Sequence, residues 1–193
     1  MDLTRRSLGL GALQASALGL VAAASPLAVA PALADTRSRL TMRGRTDLRL
    51  LLQEDHRARL FYDHCRAVLI FPSILKAGFV FGGETGNGVL LSRGGAPMGY
   101  YNLSGGSWGL QIGGQDFSYA LFFMTPNSLA YLHRSAGFAV GTGPSVVVIN
   151  ASAGADADTT TLTHDVYAFP FNGKGLMADL TLQGTKITPI HPG

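Results

Sequence analysis

Asp116-Phe117-Ser118-Tyr119-Ala120-Leu121-Phe122-Phe123 decides the fold. Phe117, Tyr119, Leu121 and Phe123 alternate with Asp116, Ser118, Ala120 and Phe122, and a period of two sends successive side chains to opposite faces of a β-strand. To its N-terminal side, Trp108, Leu110 and Ile112 alternate in the same way with Gly109, Gln111 and Gly113. Further strands are predicted at Phe79 to Glu84, Val89 to Arg93, Tyr100 to Ser104, Ser145 to Ile149, Val166 to Phe169 and Ala178 to Gln183. Ala67-Val68-Leu69-Ile70-Phe71-Pro72 has the composition of a buried strand ending at its proline. Gly86-Asn87-Gly88, Gly94-Gly95 and Gly105-Gly106 read as hairpin turns. Short strands with glycine-rich links predict an α+β fold built on a strongly curved, barrel-like antiparallel sheet.

Helices are expected at two places. Near 126–135, Thr125 is placed to cap a helix that begins at Pro126, with Leu129 and Leu132 turned inward, Arg134 in the last turn and Gly137 beyond it. At the front, Leu40, Gly44, Leu48, Leu51 and Leu52 form one helical stripe, with Arg39 and Arg43 to one side and Arg45 and Arg49 to the other. Two readings stay open for this amphipathic helix. Its leucines can pack on the domain with the arginines solvated at the rim, or the helix can lie in a lipid headgroup layer. Asp55 is placed to cap a second short helix running to about His64.

The chain has 193 residues, of which 14% are charged, with 25 glycines and a single cysteine. So few charges argue against disorder, and so much glycine argues against a helical bundle. Cys65 alone can form neither an internal disulfide nor a cysteine zinc site. Basic charge is concentrated at the front: residues 35–66 hold eight arginines against five acids, whereas residues 67–193 hold five bases against six acids. A basic front attracts anionic partners, a membrane surface or nucleic acid.

Thr4-Arg5-Arg6-Ser7-Leu8 precedes an almost uncharged run to Ala30 and then Ala32-Leu33-Ala34. A twin arginine, an apolar run and a small-x-small site read as an export signal, spanning 1–34 with cleavage after Ala34. An uncleaved membrane anchor is the alternative. The expected compartment is the bacterial periplasm, where lipid headgroups are commoner partners than nucleic acid. The remainder, 35–193, reads as one domain with a basic helical segment at 35–66 and a mainly β part at 67–193.

Several chemical motifs fail on context. Gly105-Gly106-Ser107-Trp108-Gly109 matches the G-x-S-x-G elbow, with His133 and His164 downstream, but an elbow needs a helix after it and the following residues alternate like a strand. Asp156-Ala157-Asp158 lacks the glycine and glutamate of a calcium loop and sits in an expected exposed loop, Ala151 to Thr163. The five histidines have no compact metal-ligand spacing. Gly82-Gly83 and Gly86 to Gly88 have no lysine and serine or threonine in register for a phosphate loop. No enzyme activity, metal or cofactor is expected.

A longer series of blocks carries a resemblance. Ala67 to Pro72, Lys76-Ala77-Gly78-Phe79, Gly82-Gly83-Glu84 through Gly88-Val89-Leu90-Leu91, Tyr100-Tyr101, Ser107 to Gln111, Ala120 to Thr125, Lys174 to Ala178 and Gln183 to Thr188 together resemble the SYLF domain family. The resemblance implies a lipid-binding module. Eukaryotic members bind phosphoinositides and other anionic lipids, often through a basic N-terminal helix, and some bind actin when joined to partner domains. With an export signal expected and no such partner domain expected, phosphatidylglycerol or cardiolipin would be the natural ligands. The expectation is non-catalytic binding of anionic phospholipid at a peripheral membrane surface. Arg37, Arg39, Arg43, Arg45 and Arg49 are the expected lipid contacts, with Lys76, Lys174 and Lys186 as further headgroup contacts. The alternative is an envelope interaction protein whose basic helix docks on an acidic protein.

Overall fold

The computed structural model describes residues 36–78, 81–108, 113–134, 137–149, 162–173, 182 and 184–193. The expected export segment lies outside them, as do the expected strand at 178–183 apart from Leu182, most of the expected loop at 151–163, and Lys174. Two helices come first, α1 (Arg37–Glu54) and α2 (His56–His64). Four long strands follow: β1 (Ala67–Gly78), β2 (Phe81–Ser92), β3 (Pro97–Trp108) and β4 (Gly113–Phe123). Helix α3 (Pro126–His133) separates them from β5 (Phe138–Ala139), β6 (Val146–Val148), β7 (Val166–Phe171) and β8 (Thr185–Ile190). The strands form one strongly curled half-barrel sheet in the order β5-β8-β3-β2-β1-β4-β7-β6. All neighbours pair antiparallel except β6 and β7, which run parallel.

The unbroken apolar run in β1 follows from its central place in the sheet. Ala67, Leu69 and Phe71 join an inner cluster with Tyr119, Leu121, Phe123, Leu132 of α3 and Ile187. Val68 and Ile70 face the other way, into a second cluster with Leu40, Leu48 and Leu51 of α1 and Phe61 of α2. A strand covered on both faces shows no polar alternation. Phe61 anchors α2 here, its ring 4.3 Å from that of Tyr167 and edge-on to Phe169 at 5.3 Å.

Three sequence expectations are corrected by the strand register. Pro72 does not end β1, which runs on to Gly78 through a bulge. Against β2 the register moves from Ile70↔Val89 to Leu75↔Thr85, and against β4 from Phe71↔Tyr119 to Ile74↔Phe117, one extra β1 residue in each case. A bulge is where a central strand tolerates proline. The Pro72 carbonyl still gains a partner, accepting from Ser118 Oγ at 2.8 Å. Gly86-Asn87-Gly88 is no turn, since β2 passes straight through it and unites the two strands expected at 79–84 and 89–93. Gly105-Gly106 likewise lies inside β3. Gly94-Gly95 is a true turn, with Gly95 at φ +76° and its N–H donating to Ser92 O at 2.8 Å.

Local capping signals read from sequence hold. Thr125 caps α3, accepting from the Ser128 N–H, and the Asp55 carboxylate accepts from the N–H groups of Arg57 and Ala58 at the start of α2. The last residue of α3 is His133, two short of the expected 135.

Asp165, just before β7, ties three elements together. Its Oδ1 accepts from Thr125 Oγ1 at 3.0 Å, and its Oδ2 accepts from the Ser145 N–H and Oγ, both at 3.1 Å. Burial pushes this carboxyl up, but the Ser145 N–H, the two hydroxyls and nearby His164 outweigh it and hold the pKa below the usual 3.8. A depressed carboxylate contributes stability that is present above its unfolded pKa and lost as pH falls through the folded one. Asp165→Ala is therefore expected to cost about 1 kcal/mol at pH 7, solvent screening included, in a urea titration and less below pH 3. A loss of equal size at both pH values would place the effect in packing rather than in the charged bonds.

Candidate basic site

Helix α1 presents its leucine stripe to the sheet. Leu40, Thr41, Gly44, Leu48 and Leu51 are buried, and Gly44 lies so close to the Val89 side chain that no larger residue fits. Leu52 is only half-buried, and Leu50 is 42% exposed. The packing reading of this helix is thus the one realised, and the leucine stripe is not free to enter a membrane. The opposite face carries exposed Arg39, Arg43 and Arg49, together with Met42, which is 66% exposed. Among the described residues the one ion pair is Arg57 with Asp55, at 2.9 Å, so none of the five α1 arginines is paired with a carboxylate.

Those five arginines are not equivalent. Arg37 Nε donates to Pro192 O at 2.9 Å, which commits it to the C-terminal strand end. Arg45 Nε donates to Gly95 O at 2.8 Å, crossing from α1 to the β2–β3 turn. Arg43 acts on Asp47, whose carboxyl burial raises above its usual pKa while Arg43 pulls it down.

A groove of about 800 Å³ lies where α1, α2 and the β2–β3 turn meet. Arg45, Arg49, Arg59 and Arg93 line it, with Asp63 the one acid among its walls. Its apolar walls are Leu48, Leu52 and Leu91, with the Tyr62 ring beside them. A second groove, of about 540 Å³, shares Arg45 and Arg49 and extends past Met42 to Pro97 and Tyr100. Sequence reading counted Arg59 and Arg93 only as part of the charge balance. The available signal was weak: Arg59 lies five residues past α1, and Arg93 stands in a turn signal.

The lysines are placed elsewhere. Lys76 is half-buried on the inner face of the sheet, in register with Glu84. Lys186 is exposed on β8, paired with Ser104 and Ala139. Neither lines the arginine grooves, and Lys174 lies outside the described residues.

Glu84 is the unusual inner residue. It is 7% exposed, and its Oε1 lies 3.2 Å from the point where a side chain on Gly105 would begin. Burial raises the carboxyl pKa above 4.5, although Lys76 pulls it down. Burial likewise raises the hydroxyl pKa of Tyr119, with Glu84 adding to the shift. Because the folded-state pKa is raised, ionisation costs stability, and the cost grows as pH rises from the unfolded value through the folded one. Glu84→Gln is expected to raise stability by about 1 kcal/mol at pH 8 and to change it little at pH 4. Melting temperatures at the two pH values check this, and a pH-independent change would refute it.

Ser107, the serine of the G-x-S-x-G match, lies within strand β3 rather than on a strand-to-helix turn. His133 Nδ1 is 3.0 Å from the Tyr101 hydroxyl. Among the described residues no three His, Cys, Asp or Glu side chains gather as a metal site, and no helix is long and apolar enough to cross a membrane.

The half-barrel thus carries on its outer helix arginines that make no ion pair among the described residues, gathered around two grooves. The family model described as "Ysc84: Las17-binding protein actin regulator" matches residues 104–191, from within β3 to just past β8. By that match residues 104–191 are SYLF-domain sequence, and the SYLF family is one of binding domains for lipids and actin-associated partners. No curated protein matches the chain.

Proposed function

We propose that this protein binds anionic phospholipid at a bacterial envelope membrane, without chemical turnover, through the outward face of α1. The observation that carries the reading is that face itself: Arg39, Arg43 and Arg49 stand exposed and unpaired around exposed Met42, with Leu50 beside Arg43. Guanidinium groups suit phosphate oxygens, and two apolar side chains among them suit shallow entry into a headgroup layer. Leu40, Leu48 and Leu51 take no part, because they are buried against the sheet. Phosphatidylglycerol and cardiolipin are the proposed ligands, and the twin-arginine segment at Arg5-Arg6 supports an exported, periplasmic protein. The family description names a protein partner and actin; Met42 and Leu50 among the arginines favour a lipid surface over an acidic protein for this chain.

Cosedimentation of the full chain with vesicles across a salt series tests the proposal. Binding to phosphatidylglycerol or cardiolipin vesicles but not to neutral phosphatidylcholine, weakening as salt rises, is the expected result. Equal binding to neutral vesicles, or none to any, would sink it.

A further inference from the structure

The groove at the α1–α2 corner differs from the open face of α1 in being built rather than merely charged. Arg59 wraps back over the end of α1, its Nε and Nη2 donating to Leu52 O at 3.1 and 2.7 Å. Arg45 is fixed from the other side by Gly95 O. In both cases a backbone carbonyl holds one edge of the guanidinium, which has five N–H donors in a rigid fork, and the remaining donors make no bond among the described residues. The Tyr62 hydroxyl donates to the backbone carbonyl of Arg93, which ties α2 to the turn and fixes the wall opposite. Between these arginines the accessible apolar surface is that of half-buried Leu52 and Tyr62, above buried Leu48 and Leu91.

Four arginines against one aspartate select an anion, and guanidinium forks match phosphate oxygens. The apolar surface of Leu52 and Tyr62 would be wasted on a small inorganic ion. At about 800 Å³ the groove is within the size of sites that enclose a small molecule. We propose that this groove holds a single phosphate-bearing amphiphile, with the phosphate on the arginine rim and the first part of an apolar chain against Leu52 and the Tyr62 ring. The inference rests on the lipid reading above and deepens it: the protein clasps one lipid molecule in addition to adhering to a charged surface. Because Arg45 and Arg59 are already oriented, little ordering remains to oppose binding.

The test uses dihexanoyl-phosphatidylglycerol below its micelle concentration, titrated into the full chain and followed by calorimetry. Saturable binding of one lipid per chain is expected, with no binding of dihexanoyl-phosphatidylcholine and with inorganic phosphate and glycerol 3-phosphate at least tenfold weaker. Arg93→Gln, whose side chain holds no structural bond among the described residues, should weaken it about fivefold, and the Arg59→Gln/Arg93→Gln pair about twentyfold. If Arg59→Gln loosens the helix corner, Arg93→Gln alone still decides the matter. Inorganic phosphate binding as tightly as the lipid would overturn the amphiphile and leave a plain phosphate site. Absence of soluble-lipid binding with intact vesicle binding would overturn the groove and leave the membrane reading standing. Soluble-lipid binding without vesicle binding would support the groove and remove the membrane reading.

Discussion

Gly88→Asn is expected to cost about 3 kcal/mol, whereas Gly95→Asn is expected to cost less than about 1. Both glycines sit in dipeptides that read as turns, and asparagine is a residue turns accept. At Gly95 the backbone has φ +76° and nothing lies within 4 Å of an added Cβ, so asparagine, which tolerates that region, fits. At Gly88 the chain is an ordinary strand paired with Tyr101, and an added Cβ would stand 2.6 Å from Ile70 O and 2.6 Å from the Phe71 ring. Neither neighbour can retreat: the first is backbone of the central strand, and the second is a fully buried side chain of the inner cluster. A domain with the usual margin of about 5–15 kcal/mol would lose a large share of it. Urea unfolding of the two variants side by side measures the difference. Equal tolerance at the two positions would mean that close approach is not why Gly88 is glycine.

The same pair of glycines shows where the sequence was legible. Capping at Thr125 and Asp55 depends on residues two or three apart, so it could be read directly. Alternation at Phe117 to Phe123 survived because the inner face there takes only large apolar side chains. Gly86 and Gly88 were misread because the atoms that exclude a side chain belong to Ser73, Ile74, Ile70 and Phe71, on a strand whose bulge the sequence does not announce. Gly105 has the same origin: its neighbours are Glu84 on β2 and Thr185 on β8. A turn and a close approach use one residue type, and only the register separates them. The arginine site divides along the same line. The α1 arginines were found from helical spacing, but Arg59 and Arg93 join them only through the α1–α2 corner and the β2–β3 turn. Lys76, which opens a family-like block, sits half-buried opposite Glu84, a partner that only the strand register reveals.

The proposed membrane contact makes its largest claim on Arg39, Arg43 and Arg49. All three are exposed, and among the described residues they make no side-chain hydrogen bond or ion pair, so glutamine at all three positions leaves the α1 packing of Leu40, Leu48 and Leu51 untouched. At roughly 1 kcal/mol for each arginine near an anionic surface, the triple variant loses at most about 3 kcal/mol, or on the order of a hundredfold in vesicle affinity at low salt. The wild-type affinity should fall toward the variant's as salt rises, because exposed charges a Debye length apart are screened. Lysine at the same three positions keeps the charge and should retain most of the binding, while Met42→Gln/Leu50→Gln should weaken it without changing the salt slope. Unchanged affinity of the triple glutamine variant, with its circular dichroism and melting intact, would remove α1 from the contact. In the Arg39→Gln/Arg43→Gln pair, which leaves the groove walls intact, a loss on vesicles with undiminished binding of the soluble lipid would separate the outer face of α1 from the groove beneath it. Arg49, shared between the two, then reports on both when changed alone.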